Sequence, residues 1–135
     1  MGMLPGDYIA QYGEQLFYVN RMVEEMIDRI LARSRTPPVI MVQGDHGPGA
    51  YLDWLSWENT CLCERFSILS AYYLPGVQIS IPPDVTPVNS FRIVLNAYFG
   101  TEYGHLEQRS YFTDQDYPYQ MVEVMERVDT CAPLK

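Results

Sequence analysis

Two side chains able to hold a cation stand next to each other at Asp45 and His46, in the run Gln43-Gly44-Asp45-His46-Gly47-Pro48-Gly49. A carboxylate is a hard oxygen donor and an imidazole a borderline nitrogen donor. Together they suit a divalent ion such as Zn or Mn. Two ligands make half a site, because a tight one takes three or four. Gly44 and Gly47 bracket the pair. Lacking a Cβ, they leave room for an ion and a substrate oxyanion to come close to the backbone. The same residues have a plainer use, in which Asp45 caps a turn and His46 is a loop residue.

Other candidates stand further off. His105, after Tyr103-Gly104, is a candidate third ligand or a solvated loop residue. Asp53 and Glu58 lie in the stretch after Gly49 and read as surface acids that could reach the site. Gln43 precedes the motif and would point to the opposite face of its strand. Ser67 and Ser70 have no neighbouring base in sequence and make poor nucleophiles. Three cysteines, Cys61, Cys63 and Cys131, are odd in number. The one-residue gap of the first two differs from the two-residue gap of zinc and redox motifs, so they are expected to be structural or incidental thiols. The eleven tyrosines read as packing and surface residues.

The elements that must position Asp45 and His46 can be read from periodicity. Residues 7–34 predict one long amphipathic helix. Ile9, Tyr12, Leu16, Val19, Val23, Met26, Ile27 and Ile30 recur at three- and four-residue steps, and the opposite face is charged. Asp7 is the expected N-cap. Glu25 and Arg29 are expected to pair, and Pro37-Pro38 stops the helix. Val39-Ile40-Met41-Val42 is a short apolar run that fits a strand buried on both faces, as in a parallel sheet covered by helices. Residues 50–65 show no clear period. Residues 66–74 predict a second strand, closed by Pro75-Gly76. Thr86-Pro87-Val88 starts a helix that runs to Phe99, with Val88, Phe91, Val94, Leu95 and Tyr98 on one face and Gly100 beyond its end. Tyr111 and Phe112 fit a short edge strand, and residues 118–128 a last short helix. The order helix–strand–loop–strand–helix predicts a single α/β domain over residues 1–135. A central strand needs neighbours on both sides. Extra strands or a second copy of the chain would have to supply them.

Composition narrows the partners. The net charge is −8, and the only lysine is Lys135. That argues against nucleic acid and anionic membranes as partners, since both need a basic patch. Hydrophobic residues make up 47% of the chain, enough for a core. No stretch approaches the roughly 20 apolar residues of a membrane span, and the first ten residues do not form a signal peptide. The chain reads as soluble.

Taken in order, these segments resemble one superfamily. The run from Val39 to Gly47 looks like the Asp-His-Gly segment of sulfatase-like hydrolases and lipoteichoic-acid-synthase-like phosphoglycerol transferases, in the alkaline phosphatase superfamily. The run from Arg65 to Gly76 resembles the strand after it. Thr86-Pro87-Val88-Asn89-Ser90-Phe91 resembles a helix start, Phe99-Gly100 its end, and Arg109-Ser110-Tyr111-Phe112 a late strand. The resemblance implies a partial alkaline-phosphatase-like α/β layer. It implies metal-assisted attack on a sulfate or phosphate ester, through a Thr, Ser or modified Cys nucleophile. Asp45 and His46 would be ligands of Mn, Zn, Ca or Mg, with Gly44, Gly47 and His105 as further site-loop residues. In the family the nucleophile and an early acidic ligand lie N-terminal to this segment. Residues 1–38 contain neither, so this chain alone is expected to be inactive. Relatives are often membrane-anchored with an outward-facing catalytic domain. The alternative expectation is a non-catalytic α/β module that self-associates.

Overall fold

The computed structural model describes residues 4–131. The first helix, α1, spans Pro5–Arg33. Its N-cap is Leu4, with Pro5 at the first helical position, so Asp7 sits in the first turn and not at the cap. There its charge favours the helix dipole. The end is closed by Ser34, whose amide (3.0 Å) and hydroxyl (2.7 Å) both donate to the Ile30 carbonyl. Glu25 pairs with Arg29, as its spacing predicts, and also with Arg21. No residue of α1 is buried. Leu16, Val19, Met26 and Ile30 of its apolar stripe all remain exposed.

Strand β1 (Ile40–Gln43) pairs with β2 (Ser70–Tyr73) in antiparallel register, Ile40 opposite Tyr73 and Gln43 opposite Ser70. This differs from the expected parallel arrangement. β1 is half-buried along its length, and among the described residues its second edge has no strand beside it. The predicted second strand is shortened from its front. Its first residue, Phe66, instead closes a one-turn helix, α2 (Leu62–Phe66), which anchors fully buried Leu62. The Glu64 carboxylate accepts the amides of Ala50 and Tyr51, and so fixes the loop that showed no period in sequence.

Helix α3 (Pro87–Phe99) has the predicted bounds, with Thr86 at the N-cap and Gly100 in the left-handed region at φ 64°. Its buried face is rotated from the expected one. Val88 and Phe91 are exposed, while Asn89, Ser90, Ile93 and Val94 are buried. The cause is polar. The Ser90 hydroxyl meets Tyr72 Oη (2.7 Å) and Gln43 Nε2 (3.1 Å), which ties α3 to both strands. Asn89 bonds both backbone groups of Leu106, each at 2.9 Å. Asn96 does the same for Tyr103.

Tyr111 and Phe112 lie in β3 (Tyr111–Thr113), which pairs antiparallel with β4 (Met121–Glu123). The predicted helix over 118–128 is therefore replaced by a strand and a 3-10 turn at Met125–Arg127. Val122 and Val124 favour an extended chain, and buried Val124 donates its amide to the Ser110 carbonyl. The core is small. Val124 joins Cys61, Leu62, Ile93 and Val94 as its apolar members. A disulfide joins Cys61 to Cys131, and Cys63 is free. The result is a mixed α/β chain, with two two-stranded antiparallel sheets among the described residues. No helix among the described residues is long and apolar enough to cross a membrane.

Candidate functional site

The ladder between β1 and β2 runs one bond past the strand, where the Gly44 amide donates to the Leu69 carbonyl. The chain then turns, and Asp45 and His46 emerge at the carboxyl end of β1. Asp45 Oδ1 accepts the His46 amide at 3.0 Å, which fixes the turn. The other oxygen, Oδ2, lies 3.6 Å from His46 Nε2. Two donors about 2.1 Å from one ion stand roughly 3.0–3.4 Å apart, so one cation can reach both with a small shift. The side chains are 89% and 52% exposed, so an ion has free access from solvent.

The ring's second nitrogen decides whether Nε2 can bind. His46 Nδ1 lies 2.9 Å from the Gly47 carbonyl and 2.8 Å from an Arg65 guanidinium nitrogen. With a proton on Nδ1 the ring donates to Gly47, and Nε2 presents a lone pair, the arrangement usual for metal-bound histidine. With Nδ1 bare it accepts from Arg65, and Nε2 carries the proton and cannot ligate. Arg65 therefore opposes the ligating tautomer, and its charge also opposes a nearby cation. Arg65 donates to the Gly47 carbonyl as well (3.0 Å) and lies over the Trp54 ring.

Gly47 is required here for packing. A Cβ at this position would collide with the carbonyl oxygens of Glu64 and Ser67, and the Gly47 amide already donates to Arg65 (2.8 Å). The close approach that the glycine permits is to the end of α2. A Cβ on Gly44 would make only ordinary contacts.

Asp45 and His46 open onto a cleft of about 1020 Å³, walled by Trp54, Arg65, Asp84 and Arg109 among others. Glu107 grips Arg109 at 2.7 Å, Glu123 adds a second carboxylate, and together with Tyr111 they push its pKa up, so it is a fixed cation. Arg65 makes no ion pair among the described residues. The cleft thus combines a carboxylate–imidazole pair with two guanidinium groups, a set able to hold an anionic ester beside a divalent ion. No serine or threonine hydroxyl bonds His46 among the described residues, so no activated nucleophile stands at the pair.

The remaining candidates fall elsewhere. His105 lines a separate shallow depression with Ile79, Ile93 and Asn96, and is not brought to Asp45. Asp53 accepts from Leu55 and Asn59, and Glu58 from Ser56, so both serve their own loop. Gln43 and Ser70 belong to the polar network under α3. By its sequence Arg65 only opens a run that resembles a strand, and its role at the ring has no local signal. The chain matches no protein-family model, no curated protein and no solved structure.

Proposed function

We propose that the chain is the C-terminal part, or a truncated relative, of a sulfatase-like or phosphoglycerol-transferase-like enzyme acting on sulfate or phosphate esters. It supplies the Asp45–His46 half of a divalent-metal site and no nucleophile. In this reading β1, β2 and the helices belong to an alkaline-phosphatase-like layer whose other strands come from a further segment or a second copy. The carrying observation is the 3.6 Å approach of Asp45 Oδ2 to His46 Nε2 at the mouth of a cleft that also holds Arg65 and Arg109. Two protein ligands and an opposing guanidinium imply weak binding of Mn, Zn, Ca or Mg.

Calorimetric titration with Mn²⁺ tests the reading. The expected result is a weak heat of binding that His46→Ala removes. Equal heats for the two proteins would end the ligand assignment. With aryl sulfate and aryl phosphate esters the chain by itself is expected to give no turnover.

A second reading is a non-catalytic α/β module that self-associates. The exposed apolar stripe of α1 and the open edge of β1 favour it. A defined oligomer that takes up no Mn²⁺ would select this reading over the first.

A further inference from the structure

The three cysteines come together from two distant parts of the chain. Their sulfur atoms all lie within 4.8 Å of one another. Cys61 Sγ is bonded to Cys131, and Cys63 Sγ stands 3.5 Å from Cys61 Sγ. Backbone bonds hold this arrangement apart from any sulfur chemistry. Cys61 and Cys131 face each other in an antiparallel bridge, the Cys63 amide donates to Thr130 (3.0 Å), and the Cys61 amide donates to Tyr51 (3.0 Å). We propose that Cys61, Cys63 and Cys131 form a thiolate site for one soft d¹⁰ cation of the Zn²⁺ class, with the Cys61–Cys131 disulfide as its oxidised, metal-free form.

Zn–S bonds are about 2.3 Å, which places two thiolates on one tetrahedral ion about 3.8 Å apart. Cys63 Sγ, 3.5 Å from Cys61 Sγ, already stands near that spacing, and reduction of the Cys61–Cys131 bond lets the third sulfur move out to it. The donors are all sulfur, so the site selects soft ions, in contrast to the oxygen–nitrogen pair at Asp45 and His46. Cys61 is buried, Cys63 half-buried and Cys131 exposed, giving an anchored floor and an entry side. A thiolate at buried Cys61 is costly without a cation, and the ion offsets that cost. Three ligands leave one tetrahedral position for water or an outside donor.

The chemistry balances with a low-molecular-weight thiol as reductant. The Cys61–Cys131 bond takes two electrons and two protons from two such thiols, which leave as their own disulfide. The ion then displaces three protons from Cys61, Cys63 and Cys131. Either cross-link, covalent or through metal, holds the segment carrying Met125, Val128 and Asp129 against the cleft it lines.

The test uses the full chain, reduced with a phosphine and kept free of oxygen. One equivalent of Zn²⁺ should protect all three thiols from alkylation, counted by mass spectrometry. One equivalent of Cd²⁺ should give the ultraviolet charge-transfer band of thiolate ligation. Cys63→Ser and Cys131→Ser should each weaken binding by about tenfold or more, read as lost protection of the remaining thiols, a readout that an ion held at Asp45 and His46 cannot give. Free alkylation of the wild-type thiols at one equivalent of Zn²⁺ would overturn the proposal, whatever the variants do. Binding by Cys131→Ser as tight as wild type would overturn it too.

Discussion

A methyl group at position 47 has nowhere to go. Gly47→Ala would drive it into the carbonyls that end α2, and backbone cannot yield as a side-chain tip can. The expected loss is about 3 kcal/mol in urea unfolding, at the upper end of overpacking costs. Gly44→Ala, with only ordinary contacts to meet, should lie within about 0.5 kcal/mol of wild type. A second prediction concerns Arg65. Arg65→Leu removes a charge beside the pair and frees Nδ1 of His46 to donate to Gly47. Mn²⁺ affinity should rise by about tenfold, and unchanged affinity would show that Arg65 does not compete. At this scale the sequence was informative where chemistry is local. That Asp45 and His46 stand side by side at the end of β1 was legible, because adjacent residues at a strand end share a neighbourhood. Arg65 was not, because it reaches the ring from 19 positions away. Gly47 was legible as a necessary glycine, but the neighbour that makes it necessary lies on an element the sequence did not reveal.

Among the elements, α3 is the one that organises its surroundings. Asn89 and Asn96 lie two turns apart on one face, and each presents its amide to the extended segment after Gly100 as a strand edge would. Arg92, between them, donates to Gly104 (3.1 Å) and covers the Tyr103 ring. Asn89→Ala would leave the amide and carbonyl of Leu106 without partners, at a cost of about 2 kcal/mol. Amide exchange across residues 101–110 should quicken in this variant, and protection equal to wild type would contradict the clamp. The bounds of α1 and α3 were readable from period, proline and glycine, since those signals act within one helix. The buried face of α3 was not. Hydrophobicity pointed to Val88 and Phe91, whereas side-chain amides and a hydroxyl turned the helix toward polar partners. The last predicted helix failed for a similar reason. Val122 pairs with Phe112 in the β3–β4 ladder, and that pairing outweighs the weak helical period of residues 118–128.

At the scale of the whole molecule, a small core lies beside a 29-residue helix that has no buried residue. Helices gain most of their stability by packing an apolar face, so α1 calls for a surface to cover its stripe. Light scattering should give a multiple of the 15.6 kDa chain mass, and the double change Leu16→Glu with Met26→Glu should return the monomer. A monomeric wild-type chain would mean that the stripe waits for a different surface. The mixed α/β class was legible because element order survives local errors. The pairing of β1 was not, since an apolar run of four residues fits either strand direction. The Cys61–Cys131 bond closes a covalent ring across 70 positions. A protease that nicks the chain once inside that ring would leave both pieces joined, and the product would part only on a reducing gel. A nick between α1 and β1 falls outside the ring and would shed the helix with or without reductant. Limited digestion run on paired gels would thus map which part of the chain opens first.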